Sequence, residues 1–326
     1  MSRLDAGASG PISGRYREPT LEPVGMTRFA HISDLHVLEL EGTSPSRFLN
    51  KRATGMINLV GPRRGQHAIE ILEALVEDLR DEALDHVLVT GDLTNLALES
   101  EFTRARGLLE PIALYERLSI VPGNHDVYTR GSEREQRFER YFGDLMWAQG
   151  TEAADQVYPW CKDVDGVAVI GLCSARPRLP FIATGEIGED QLERLAALAD
   201  EHDFASRFTI VLVHHNLHER TTRKNLMHGL NDRQALLDLC DAKGVNLVLH
   251  GHTHVAHRFE HGDVQVIGCG SSTWKSEHPD HVARYNIYHV DQGRLAEVET
   301  RIYNHVSGRF EAGGTGAPEP AHVSAV

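Results

Sequence analysis

No stretch of this 326-residue chain approaches the ~18 consecutive apolar residues that a membrane span needs. The opening residues, MSRLDAGASGPISGRYREPT, contain no apolar block of the kind that marks a secretory leader. Cysteine is sparse: Cys161, Cys173, Cys240 and Cys269 are far apart and form no C-x-x-C pair, which argues against a disulfide framework or a thiolate zinc site. Together these absences lead us to expect a reduced, cytoplasmic protein. Positive charge is also in deficit, with 33 Lys plus Arg against 47 Asp plus Glu and a net charge of −14. A chain this acidic is a poor partner for a nucleic-acid duplex, whose binding depends on neutralising phosphates with cations. Hydrophobic content of 41% and charged content of 25% are ordinary for a globular chain, so collagen-like and wholly disordered readings fall away.

Histidine is what the chain has in excess. There are 20, roughly three times an ordinary share, and histidine is the commonest metal ligand and a frequent proton carrier. Residues 1–26 and 307–326 are rich in Gly, Ser, Pro and charge and read as flexible tails, leaving one domain over 27–306. Within it, strand-like runs at 28–33, 86–90, 118–121, 167–174, 208–213, 246–249, 264–268, 285–290 and 295–303 alternate with helical patterns at 66–82, 99–114, 133–147, 189–201 and 232–243. In the first helix Ile69, Leu72, Leu75, Val76 and Leu79 share a face. Early strands separated by helices predict a βαβ-type core, and the short turns at 261–263 and 292–293 predict a later antiparallel portion.

Five of these strands deliver polar residues directly after their last apolar position. Asp34 and His36 follow the first, Gly91-Asp92 the second, Gly123-Asn124-His125-Asp126 the third, His214-His215 the fifth, and Gly251-His252-Thr253-His254 the sixth. Sites in α/β sheets form beyond the carboxyl ends of the strands, so all five blocks are expected at one edge. Singly each is weak, since Gly-Asp after a strand is often only a turn. As a set they predict a site.

These blocks, with Gly91-Asp92-Leu93-Thr94-Asn95 in full, resemble in order and spacing those of the calcineurin-like metallophosphoesterase superfamily, over about residues 28 to 256. The resemblance implies an α/β fold, a four-layer αββα sandwich with mixed sheets. It also implies two divalent metal ions bridged by a carboxylate and a hydroxide, the hydroxide attacking phosphorus. Carried over by position, one ion is held by Asp34, His36, Asp92 and His254, and the other by Asp92, Asn124, His214 and His252. Carboxylate, amide and imidazole ligands suit Mn, Fe or Zn and leave the identity open. His125 is implied to assist the leaving group or bind the phosphoryl oxygen, and Asp126 either orients its ring or caps a turn. His215 and His250 are expected near the ligands in supporting roles, while His31, His257, His261, His278 and His281 carry no spacing argument. The family's proline after the His-His pair is replaced by Asn216.

Within the superfamily the chain is most similar to the bacterial cyclic-nucleotide phosphodiesterase group, so a small phosphodiester is the expected substrate. The segment 43–65 contains Arg47, Lys51, Arg52, Arg63 and Arg64 and no acid. It reads as a basic amphipathic helix that either caps the site or contacts an anionic membrane surface. The second role would place the protein peripherally on the inner membrane and fits a pyrophosphohydrolase of a nucleotide-linked lipid such as UDP-diacylglucosamine. Arg52, Arg220, Arg223 and Lys224 are candidate substrate-binding cations, and Trp274 is either a stacking surface or a packing anchor. A non-catalytic scaffold on the same fold is the alternative from another class.

Overall fold

The computed structural model describes residues 25–48, 52–53, 67–147, 157–219 and 221–315. Its strands are β1 (Thr27–Ile32), β2 (His86–Val89), β3 (Leu118–Ile120), β4 (Trp160–Val164), β5 (Val167–Gly171) and β6 (Thr209–Leu212). They continue with β7 (Leu247–His250), β8 (His257–His261), β9 (Val264–Gly268), β10 (Arg284–Asp291), β11 (Arg294–Asn304) and β12 (Arg309–Thr315). The helices are α1 (Ile69–Asp81), α2 (Glu99–Leu109), α3 (Arg130–Arg134), α4 (Arg137–Phe142), α5 (Glu189–Glu201), α6 (Thr222–His228) and α7 (Arg233–Ala242).

The strands form two six-stranded mixed sheets, in the orders β12-β11-β10-β1-β2-β3 and β4-β5-β6-β7-β9-β8. In the first, β1, β2 and β3 are parallel while β10, β11 and β12 are antiparallel. In the second, β5, β6, β7 and β9 are parallel and the edges β4 and β8 antiparallel. Side chains alternate between sheet faces with a period of two, and the second sheet uses both. Val169, Ile210, Leu212, Leu247 and Leu249 join Phe29, Ile32 and Val89 of the first sheet in one core. Their neighbours Ala168, Ile170, Val211, Val213 and Val248 pack with Leu195 of α5 and Leu236 and Leu237 of α7 in another. Helix α1 buries Ile71, Leu72, Leu75, Val76 and Leu79 at helical spacing, adding the layer beyond the first sheet. This is the αββα sandwich.

Three boundaries differ from the sequence reading. The helix expected over 133–147 opens at Thr129, whose hydroxyl accepts from the Ser132 amide, and breaks at Gln136, which is left-handed at φ 43°. Residues 309–315, expected in a flexible tail from 307, form edge strand β12, held by the burial of Phe310 and its pairing with Tyr303. Residues 217–230, given neither helix nor strand in the sequence reading, contain α6. Most of 43–65 lies outside the described residues, which hold only the short 3-10 turn Pro45–Phe48 and Arg52–Ala53 of its supposed helix. Among the described residues no helix is long and apolar enough to cross a membrane.

Candidate metal centre

The loops after β1 and β2 prolong the parallel pairing of their strands: the Asp34, His36 and Val37 amides donate to the Gly91, Asp92 and Leu93 carbonyls at 3.0, 2.9 and 2.8 Å. Across the two sheets, the His252 amide donates to the Asp34 carboxylate at 3.1 Å, and within the second sheet the Gly251 amide donates to the His214 carbonyl at 3.1 Å. These bonds draw the strand ends together. Asp34, His36, Asp92, His252 and His254 all adopt positive φ, between 50° and 72°, a region costly for residues with a Cβ and often concentrated at functional sites. Glycines allow the close approach: a Cβ on Gly251 would lie 2.5 Å from the Asp34 Oδ2.

Two clusters of acceptors result, and tautomers follow from their outer partners. The His214 Nδ1–H donates to the Thr90 carbonyl at 2.7 Å and the His252 Nε2–H to the His228 carbonyl at 2.9 Å. In the neutral rings the lone pairs then sit on His214 Nε2 and His252 Nδ1, which face each other at 3.3 Å. The Asn124 Oδ1 is 3.2 Å and the Asp92 Oδ2 3.3 Å from the same His214 nitrogen. In the neutral forms four acceptors converge with no donor, an arrangement that either a proton on His214 Nε2 or a metal cation completes. In the second cluster His36 Nε2 is 3.0 Å from His254 Nε2 and 3.7 Å from Asp92 Oδ2. The Asp34 Oδ1 lies 3.3 Å from His254 Nε2. Asp92 is shared. The donor set fits two divalent ions of borderline or hard character.

Protonation follows the same charges. Burial works to lower the His214 pKa, but the Asp92 carboxylate overrides it and carries the group up to about 9. Burial works to raise Asp92, and His214 and His125 more than offset this, holding it well below its ordinary value. His36 is pushed well below 6.5 by burial and by His67.

His125 stands at the margin, a ring nitrogen within 4.8 Å of ligand atoms of His36 and Asp92. Its Nδ1–H donates to the Asn95 carbonyl at 2.6 Å, its backbone amide to Asp92 Oδ1 at 2.8 Å, and its ring stacks on Tyr128 at 5.6 Å. Asp126 does not orient this ring. Its carboxylate accepts from the amides of Gly123, Leu93 and Thr94 at 2.9, 3.2 and 2.9 Å and clamps the loops that present Asp92 and Asn124. His215 pairs with the Ser174 hydroxyl at 2.7 Å, and the His250 Nδ1–H donates to the Gly251 carbonyl at 3.1 Å. Asn216 donates to the His218 carbonyl, and buried His31 lies between Tyr288 and Thr90.

Of the expected substrate cations, Arg52 is 3% exposed, its guanidinium anchors the Leu96 and Ala97 carbonyls at 2.7 and 2.9 Å, and it contributes to the wall of a cavity shared with Tyr128 and Arg178. Lys224 is exposed on α6, whereas Arg220 and the Arg223 side chain lie outside what is described. Trp274 packs edge-on against His254 at 4.8 Å and stacks on His281 at 4.9 Å, the anchor role. Sequence reasoning missed His67, whose ring lies 4.5 Å from that of His36. It follows no strand and sits just before α1, so no local pattern marks it.

A family model described as calcineurin-like phosphoesterase matches residues 27–256. The chain belongs to that family and is a metal-dependent phosphoester hydrolase. It is similar to a probable cyclic nucleotide phosphodiesterase of Vesicomyosocius okutanii, 21% identical over 226 residues, 69% of this chain and 85% of the relative. It is also similar to the 3',5'-cyclic adenosine monophosphate phosphodiesterase CpdA of Pseudomonas aeruginosa, 28% identical over 213 residues, 64% of this chain and 69% of the relative. Among solved structures, a dimetal phosphatase from Danio rerio superposes with a TM-score of 0.56 at 16% identity, over 86% of this chain and 96% of that one. A purple acid phosphatase from yellow lupin, Lupinus luteus, gives 0.55 at 13% identity, over 88% and 53%. At such identities these two structures speak to the fold alone.

Proposed function

We propose that the chain hydrolyses a small phosphodiester, in the first instance a cyclic nucleotide, at a two-ion centre held by Asp34, His36, Asp92 and His254 on one side and Asp92, Asn124, His214 and His252 on the other. The observation that carries this reading is the pair of acceptor clusters sharing Asp92. Manganese, iron and zinc all suit the donors. Ions bound there acidify water and neutralise charge on a phosphoryl group.

The chain's own residues supply the rest. Thr90 and His228 fix the tautomers of His214 and His252 through their carbonyls. Asn95 holds the His125 proton on Nδ1, so Nε2 is the atom that exchanges a proton with the leaving oxygen, as a general acid when protonated. Tyr128 steadies that ring from one face and borders a cavity of about 1230 Å³ whose wall includes Arg130, Arg134 and Arg178. Cations in that wall suit the remainder of an anionic nucleotide. The two curated relatives named above for cyclic-nucleotide hydrolysis support this choice of substrate.

The test is a steady-state assay of metal-reloaded protein against cyclic AMP, a bis-aryl phosphate, an aryl monophosphate and UDP-diacylglucosamine. Preference for cyclic AMP supports the proposal; preference for the monoester or for the lipid nucleotide overturns it.

A further inference from the structure

His67 stands on a loop clamped to the metal centre. Its backbone pairs antiparallel with Trp274, and the next amide, Ala68, donates to the Thr273 carbonyl at 3.4 Å. The side chain is clamped as well. His67 Nδ1 lies 2.9 Å from the Thr273 hydroxyl, and that hydroxyl also sits 2.8 Å from the Leu35 carbonyl and 3.3 Å from the Asp34 carbonyl. Carbonyls only accept, so the single hydroxyl proton goes to them and the oxygen accepts from His67. The imidazole is thereby held as the tautomer with its proton on Nδ1 and its lone pair on Nε2. Such an anchored tautomer is what an outer partner imposes on a metal-binding histidine, and Thr90 and His228 impose their counterparts on His214 and His252.

The ring is placed to use it. Its centroid lies 4.5 Å from that of His36 and 5.6 Å from that of His254, and one ligand atom from each of the three histidines falls within 4.8 Å of the others. A single shared proton joins His36 Nε2 to His254 Nε2 at 3.0 Å, whereas an ion between the three rings meets a nitrogen lone pair from each.

We infer that His67 is an additional imidazole donor to the ion held by Asp34, His36, Asp92 and His254. This inference rests on the two-ion reading proposed above. It makes the two positions unequal: one has three imidazoles and two carboxylates, the other two imidazoles, an amide oxygen and the shared carboxylate. Added nitrogen donors favour cobalt, zinc or iron over magnesium and manganese at the first position. Thr273 is then a positioning residue acting through His67.

Metal-stripped full-length wild type, His67→Ala, His67→Gln and Thr273→Val are titrated with Co(II), followed by calorimetry and visible absorption, with far-UV circular dichroism as the folding control. The wild type binds two ions in unequal steps. In His67→Ala and His67→Gln the tighter step weakens on the order of 10- to 100-fold and its absorption band changes, while the weaker step keeps its affinity. Thr273→Val weakens the same step by about 10-fold or more, with the imidazole still present. Two unchanged steps and an unchanged spectrum in a folded His67 variant overturn the inference and make His67 a packing residue. Should the alanine variant not fold, the glutamine and Thr273→Val variants decide in the same way. Fewer than two ions in the wild type overturns the two-ion reading itself, and this inference with it.

Discussion

Gly123→Ala puts the geometry of the shared carboxylate to the test. A Cβ built on Gly123 falls on the Asp92 Oδ1 and amide nitrogen and lies 2.7 Å from its Cγ. An ordinary carbon contact is ~3.5–4.0 Å, so one group must move by about 1 Å. Asp92 cannot simply swing aside, because its Oδ1 accepts from the His125 amide at 2.8 Å and its own carbonyl accepts from the His36 amide. Gly123 is equally tied, its amide bound to Asp126 at 2.9 Å. Overpacking of this kind costs about 1–3 kcal/mol, a fall in melting temperature of roughly 2–4 °C per kcal/mol for domains of 150–250 residues and somewhat less for this longer chain. A 1 Å error in a reacting constellation costs on the order of 10²-fold in rate. The variant should therefore remain folded, melt a few degrees lower, lose about two orders of magnitude in kcat/KM and retain less metal after desalting. Calorimetry, elemental analysis and the phosphodiesterase assay read the three quantities. Wild-type activity and metal content in Gly123→Ala would refute the close approach of the two loops.

Other consequences are open to measurement. His125→Ala should bind both ions with wild-type stoichiometry yet lose ~10²- to 10⁴-fold in kcat, as removal of a proton donor does; a variant that loses metal instead would make His125 a ligand. Asp126→Ala strands the buried amides of Gly123, Leu93 and Thr94, and urea unfolding should report a loss of about 3 kcal/mol or more. Burial pushes the Glu101 carboxyl up to about 8, against amide bonds from Leu98 and Leu96 that lower it. From its ordinary 4.5 up to about 8 the folded chain thus holds a proton that the unfolded chain has lost. Stability from this group is complete below pH ~4.5 and declines as pH rises toward 8, by up to ~1.4 kcal/mol per unit. Glu101→Gln should remove that slope, so its stability relative to wild type grows between pH 5 and 8. Parallel pH profiles in urea would refute the assignment.

The parts of the molecule legible in the sequence are those where local pattern and tertiary role agree. Five of the parallel strands, β1, β2, β3, β6 and β7, are largely apolar runs buried on both faces and end on a polar block, so they and the residues after them could be placed from spacing alone. Strand β8, HRFEH, alternates no apolar face and becomes a strand only by pairing with β9. Strand β12 contains two glycines, a composition that reads as a tail until Phe310 is buried beneath the sheet edge. Helix α6 is seven residues without a side-chain cap and carries no periodic signal. Within the centre, Asp126 remained divided between two roles because its partners Leu93 and Thr94 come from a different strand's loop. His67 reaches His36 through the loop after β9 and a hydroxyl contact, neither of which leaves a mark in the spacing of histidines.

The central claim is that Asp92 joins two ion positions into one hydrolytic centre. Its most direct test is elemental analysis of metal-stripped protein reloaded with Mn(II), Zn(II) or Fe(II), with hydrolysis of cyclic AMP read on the same samples and Asp92→Asn as the comparison. Two ions per wild-type chain with metal-dependent turnover are expected, with loss of at least one ion and of nearly all turnover in folded Asp92→Asn. Two ions and undiminished hydrolysis in that variant would contradict the claim.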